Sequence, residues 1–229
     1  MNIQYLIHAD CELPGIIRTW AKNNHHKERF CHPYAGDALP TPSDFDLLII
    51  MGGPQDLLNM SSSPYLYDEI ALIRNCMREK RPILGICLGA QLLGEACGAK
   101  TERSPHKEIG VFPIELTNEG MHDPLLKGLP AKLPVIHWHN DMPGITSTSV
   151  VLASSEGCPR QIIRYAPLAY GFQCHPEPTK QNIETMIQHF PNDLVAGKFV
   201  QTKEAFLAAD FKSINDTMIH ILDNLSAMM

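Results

Sequence analysis

The chain has 229 residues, 44% of them hydrophobic, and a formal net charge of −6. That is enough apolar material for a sizeable core, and the acidic balance, with no dense Lys/Arg block, argues against a nucleic-acid partner. No stretch approaches the ~18 uninterrupted apolar residues of a membrane span, and the seven cysteines are odd in number and scattered without metal-type pairing, as suits a reducing cytoplasm.

The start, Met1 to Ile7, has no basic region ahead of a long apolar stretch, so it reads as a first strand (Ile3 to His8) and not as a signal peptide. Pro14-Gly15 opens a helix to about Asn23. His25, His26, Lys27 and Arg29 form a short surface cluster. Asp46 to Met51 is a continuous apolar run of the buried parallel type. From Pro64 to Lys80, Leu66, Ile70, Ile73 and Met77 recur at helical spacing, while Asp68, Glu69, Arg74, Arg78 and Glu79 are expected to face away. Ile83 to Ile86 and the helix after it complete a βαβ pattern, which predicts a parallel sheet with its ligand site beyond the carboxyl ends of the strands. Strand-like runs follow at Val111 to Leu116, Leu133 to His139, Val150 to Ser154, Gln161 to Arg164 and Leu168 to Cys174, ending the sheet with an antiparallel part. After Glu177 the pattern turns helical, with Ile183, Met186, Ile187 and Phe190 on one face, then Phe206, then Ile214, Met218, Ile221, Leu222 and Leu225. The expected fold is α/β: an open, mostly parallel sheet flanked by helices. It forms one domain over residues 1–229, with residues 179–229 packed on it as a helical extension.

The chemistry centres on Gly85-Ile86-Cys87-Leu88-Gly89, the cysteine form of a nucleophile elbow. A buried strand turns sharply into a helix there, the nucleophile sits at the strained apex, and glycines two before and two after leave room for the crossing backbones. The helix N-terminus points its free N–H groups toward the sulfur, which favours the thiolate, the attacking species. A base is supplied by Tyr170-Gly171-Phe172-Gln173-Cys174-His175-Pro176-Glu177. His175 and Glu177 share a face of extended chain, so the carboxylate can orient the imidazole and stabilise the imidazolium. A lone cysteine among small residues is more often a buried filler than a nucleophile; the accompanying His-Pro-Glu segment makes Cys87 the exception. Cys11, Cys31, Cys76, Cys97, Cys158 and Cys174 take the structural reading, Cys174 pointing to the strand face opposite His175. His137 and His139 suggest a metal pair, but no third Cys, His or carboxylate stands at a typical ligand spacing, so no metal is expected.

With Met51-Gly52-Gly53-Pro54, GICLGAQ at Gly85 to Gln91, Glu108-Ile109-Gly110 followed by Pro113 to Thr117, His137-Trp138-His139-Asn140-Asp141, and YGFQCHPE at Tyr170 to Glu177, the sequence resembles the class I (triad) glutamine amidotransferases. It is most similar to stand-alone proteins like the glutaminase domain of GMP synthase. The resemblance implies a Cys87, His175, Glu177 triad and an oxyanion hole from the Gly53 and Leu88 N–H groups. It also implies a substrate pocket built from Gly52, Gln91, His139, Asn140 and Asp141, with Asn140 standing where a glycine is usual. No cofactor is implied, and neither a Gly-rich phosphate loop nor an ATP pyrophosphatase cluster follows. Three readings stay open. The first is a glutaminase passing ammonia to a separate synthase. The second is a γ-glutamyl peptidase or hydrolase using the same thioester chemistry, and the third a non-catalytic binding or regulatory protein.

Overall fold

A strand covered by helices on both faces must be apolar at successive positions, and Leu47–Ile50 meets that demand with four fully buried residues. The computed structural model describes residues 1–229. In chain order it runs β1 (Asn2–Leu6), α1 (Ile16–Asn23), β2 (Lys27–Cys31), β3 (Leu47–Ile50), α2 (Tyr65–Arg78), β4 (Ile83–Ile86), α3 (Leu88–Ala96), β5 (Glu102–Leu116), α4 (Asn118–His122) and β6 (Lys132–Met142). It continues with β7 (Val150–Ser154), β8 (Ile162–Ala166), β9 (Ala169–Phe172), α5 (Lys180–His189), β10 (Phe199–Val200), α6 (Lys203–Leu207) and α7 (Phe211–Met228). Short 3₁₀ turns fill several connections.

The ten strands form one sheet in the order β10-β5-β7-β8-β9-β4-β3-β1-β2, with β6 paired to β5 off this path. From β2 through β1, β3 and β4 to β9 every pairing is parallel; β8, β7 and β5 then join antiparallel. The antiparallel β5–β6 ladder is the longest, and a bulge breaks its register between Arg103 and Glu108. This is the α/β architecture expected from the sequence.

Alternation along the central strands divides the core. On one face Ile3, Tyr5, Ile7, Leu47, Ile49, Leu84 and Ile86 pack with Ile17 and Trp20 of α1 and with Met218, Ile221, Leu222 and Leu225 of α7. On the other, Leu6, Leu48, Ile50 and Ile83 meet Leu66, Ile70 and Ile73 of α2 and Leu88, Leu92 and Leu93 of α3. A third cluster joins Ile109 and Ile136 of the β5–β6 ladder to Ile183, Met186, Ile187, Phe206, Phe211 and Ile214. The tail therefore contributes to two of the three cores.

One local expectation needs correction, and two strands left no readable pattern. Glu69 does not face away: it is fully buried, with its Oε2 2.9 Å from His8 Nε2, while His8 Nδ1 donates to the Met51 carbonyl at 3.1 Å. Helical periodicity misplaced it because a buried polar partner, not hydrophobicity, holds it inside. The basic cluster lies at the surface as expected, and Lys27 and Arg29 within it belong to edge strand β2, whose largely exposed, charged side chains hide its strand character. The two-residue edge strand β10 was too short to leave a pattern.

The tail is also tied to the strand ends by polar contacts. Asn215 of α7, mostly buried, donates through Nδ2 to the carbonyls of Pro176 at 3.1 Å and Pro178 at 3.0 Å. Truncation after Gln201 removes Phe206, Phe211, Ile214, Met218, Ile221, Leu222 and Leu225, all buried. At about 1.5–3 kcal/mol for each buried side chain, the loss is as large as the ~5–15 kcal/mol by which a domain is stable. We therefore expect the truncated chain not to fold, and propose that residues 1–229 are one cooperative unit. A stable, soluble core ending near Val200 after limited proteolysis would overturn this.

Candidate active site

The carboxyl ends of three neighbouring parallel strands converge on one point. β3 runs into Gly52-Gly53, β4 into Cys87, and β9 into Gln173 to Glu177, and β4 lies between the other two. The register pairs Ile86 with Phe172, and the Cys87 N–H donates to the Phe172 carbonyl at 2.7 Å, which locks the elbow to the segment carrying His175.

Cys87 has φ 52° and ψ −105°, a left-handed conformation that costs a non-glycine residue energy and persists only where the surroundings enforce it. The enforcement is steric. A Cβ on Gly85 would stand 2.3 Å from the Gly89 carbonyl oxygen, and one on Gly89 would stand 2.2 Å from the Ile50 carbonyl oxygen, so both positions exclude any side chain. Helix α3 begins at Leu88, directly after the nucleophile.

His175 is tied to β6 through reciprocal bonds with Ile136, its N–H donating at 2.7 Å and its carbonyl accepting at 3.2 Å. Its Nδ1 donates to Glu177 Oε1 at 2.8 Å, and both side chains are almost wholly buried. Nε2, the other ring nitrogen, has no hydrogen-bond partner. The ring stands beside the nucleophile: His175 Cε1 and Cys87 Cβ lie 3.4 and 3.5 Å from the place a Gly52 Cβ would occupy. Burial opposes the charged ring, but the Glu177 carboxylate, together with Cys87, outweighs it and holds the His175 pKa well above the usual imidazole value.

The structure brings the sequence-assigned residues together with different roles. Gly53, Cys87, Leu88, Gln91, His139, Asn140 and Asp141 line one cleft, and Gly52 lies beneath it against His175. The Gly53 N–H has no intramolecular partner, and the Leu88 N–H belongs to the first turn of α3, where helix N–H groups are free. Gln91 turns its Nε2 to Gln173 Oε1 at 3.0 Å, and Gln173 Nε2 reaches Cys87 Sγ at 3.4 Å. Asn140 is exposed, and Asp141 pairs with Arg103 at 2.8 Å. His139 commits both ring nitrogens inward: Nδ1 donates to the Asp141 carbonyl at 3.1 Å, and Nε2 lies 3.0 Å from Glu108 Oε2. Cys174 is fully buried with its thiol on the Gln161 carbonyl, apart from the cleft.

Sequence reasoning missed several members of the site. Gln173 lay inside the quoted segment without a role. Arg103, Lys107 and Asp193 line the cleft, Asp193 accepting from Trp138 Nε1 at 2.9 Å. Glu12 reaches the cleft from the loop before α1, its Oε2 against the Gly52 Cβ position, and burial raises its carboxyl pKa. Glu12, Gln173 and Asp193 come from connections and from the tail, where no periodicity marks them, while Arg103 and Lys107 lie on β5 where its register with β6 breaks. Glu108 completes the set. It joins His137 and His139 in a buried group whose donor atoms all lie within 4.8 Å of one another, so the third ligand-type residue absent from the local spacing arrives across the β5–β6 ladder.

The glutamine amidotransferase class-I family model matches residues 14–191. The chain is 40% identical over 233 residues to the glutamine amidotransferase-like protein YfeJ of Salmonella typhimurium, covering 99% of this chain and 98% of that one. It is 37% identical over 134 residues to the glutamine-hydrolyzing GMP synthase subunit of Pyrococcus abyssi, covering 57% of this chain and 65% of the relative. The solved structure of SMU.1228c superposes with a TM-score of 0.94 at 39% identity, over 99% of this chain and 100% of that one. An elbow held at positive φ, with a carboxylate-oriented histidine beside it, is thus found in a chain that belongs to the class I glutamine amidotransferase family.

Proposed function

We propose that the protein hydrolyses the side-chain amide of glutamine through a γ-glutamyl thioester on Cys87 and releases ammonia for a separate acceptor enzyme. The observation that carries this reading is the juxtaposition of the strained Cys87 with His175, whose Nδ1 is held by Glu177 at 2.8 Å. His175 takes the thiol proton through its free Nε2, and Cys87 Sγ attacks the carboxamide carbon. The N–H groups of Gly53 and Leu88 receive the oxyanion; loss of one such donor typically costs ~3 kcal/mol. The C–N bond breaks as imidazolium His175 protonates the leaving nitrogen, and ammonia departs. Water, deprotonated by the same imidazole, then attacks the thioester and frees glutamate and the thiol. Glutamine's charged α-groups fit the Asp141–Arg103 pair at the cleft rim, the amine against the carboxylate and the carboxylate against the guanidinium. Seven unpaired cysteines fit a cytoplasmic setting, and no helix is long and apolar enough to cross a membrane.

A second reading, a γ-glutamyl peptidase or hydrolase, is favoured by one observation. Met186, Phe190 and Asp193 of the chain's own tail, with Glu12, wall the cleft beside Cys87, so its shape does not depend on a partner. Steady-state ammonia release from glutamine, compared with glutamate release from γ-glutamyl peptides, separates the two readings. Neither product forming would remove both.

Cys87→Ala should abolish turnover while the melting temperature stays within a few degrees of wild type, because a small side chain is kept at a crowded turn. Cys174→Ala should retain activity. Retention of most activity by Cys87→Ala, or labelling of Cys174 in place of Cys87 by a glutamine-derived electrophile in intact-protein mass spectrometry, would refute the assignment.

His175→Ala should lower kcat by about 10³-fold or more, and Glu177→Gln by less, since the carboxylate acts only through the ring. Glu177 is the main group holding the His175 pKa up, so its neutralisation lowers that pKa and the imidazolium is lost at lower pH. The alkaline limb of kcat/KM should therefore shift to lower pH in Glu177→Gln. Wild-type rates in both variants would mean that another histidine serves as the base.

A further inference from the structure

Beneath the cleft, three electron-pair donors face one another with no proton assigned between them. His137 Nε2 lies 3.2 Å from the Phe112 carbonyl and His139 Nδ1 lies 3.1 Å from the Asp141 carbonyl; a carbonyl only accepts, so these two nitrogens carry the ring protons. The remaining nitrogens, His137 Nδ1 and His139 Nε2, then present lone pairs. Both point at the same oxygen: Glu108 Oε2 lies 3.6 Å from the first and 3.0 Å from the second. His137 Nδ1 has no hydrogen-bond partner. The carboxylate and both rings are buried, and no Lys or Arg pairs with Glu108. A buried anion facing two lone pairs is costly even with Ser155 Oγ and Gln161 Nε2 donating to it, and a cation among the three groups removes that cost.

We propose that Glu108, His137 and His139 bind a divalent transition ion of the zinc class, which pins β6 to β5 beneath the substrate cleft. Donors around a tetrahedral zinc, at about 2.1 Å from the ion, stand about 3.4 Å apart, and the two measured separations of 3.0 and 3.6 Å bracket that spacing. The surrounding shell is that of a metal site. Each histidine gives its other N–H to a backbone carbonyl, and Ser155 Oγ lies 2.8 and 3.0 Å from the two Glu108 oxygens. Gln161 supplies a fourth position: its amide Nε2 lies 2.7 Å from Glu108 Oε2 and 3.3 Å from His139 Nε2, while its Oε1 has no partner. A half-turn of that amide brings an oxygen to the ion. Glu108 also borders a cavity lined by Phe112, Ser155 and Phe199, which gives an approach from outside that avoids the catalytic cleft.

The competing occupant is a proton, which would make His139 an imidazolium paired with Glu108. Tag-free protein from zinc-supplemented cells, measured by mass spectrometry of its metals, should contain about one equivalent of zinc per chain. Chelator-treated protein given Co(II) should develop the intense visible bands of a tetrahedral nitrogen–oxygen site, with no sulfur-to-metal charge transfer. Those bands should persist in Cys87→Ala and vanish in His137→Phe, which keeps the ring volume but removes the donor. Less than about a tenth of an equivalent of metal together with no Co(II) bands in wild-type protein would overturn the proposal. So would ¹⁵N NMR showing both nitrogens of His139 protonated in the protein as purified. Both measurements on wild type decide the matter even if His137→Phe fails to fold.

Discussion

Everything at the site depends on the backbone of one residue being held where an L-amino acid resists going. Cys87 at φ 52° is tolerated because β4 is the middle of three parallel strands and α3 starts immediately beyond it, so the chain has no room to relax sideways. A Cβ added at Gly85 or Gly89 would lie only 2.2–2.3 Å from a backbone carbonyl oxygen, which shows how closely strand, turn and helix approach. A methyl group at either position would push α3 off the sheet and let the elbow open. The same crowding places the first turn of α3, with its unpaired N–H groups, directly behind the sulfur.

Because the site is assembled from the ends of adjacent strands, its parts hold one another. The Cys87 N–H is bonded to Phe172, His175 to Ile136 of β6, and the Glu177 carbonyl accepts the Ile16 N–H at the start of α1. Gly15 carries the same message: a Cβ there would lie 2.2 Å from the Glu177 carbonyl oxygen, at a φ of 51°. Glu177 is thus fixed through its backbone before its side chain meets the imidazole. The unpartnered nitrogen of His175 is left on the side of the ring away from Glu177.

How far this was legible in the sequence follows from the range of the forces involved. The elbow was readable because its demands are local: two glycines and a small nucleophile within five residues. The parallel core was readable because burial on both faces leaves Leu47–Ile50 without a polar residue. The pairing of Glu69 with His8, the bonds from Gln173 to Cys87 and Gln91, and the approach of Glu108 to His139 were not readable, since each joins residues that only the assembled sheet brings together. His139 shows the difference most sharply. The resemblance placed it in the substrate pocket, and it does line the cleft; what the motif could not show is that the register of β5 on β6 sets Glu108 opposite it, so that its ring nitrogens meet Glu108 and the Asp141 carbonyl.

The helical tail belongs to the same logic. α5 and α6 cover the face of the β5–β6 ladder that carries Ile109 and Ile136, and α7 fills the core beside α1, so the ladder that presents Trp138 and Asp141 to the cleft is backed by residues beyond position 179. Asn215 then fixes the carbonyls on either side of Glu177. The chain thus supplies both a wall of the cleft and the brace behind Glu177 from its own tail, so the placement of Cys87, His175 and Glu177 is set by contacts within the chain itself.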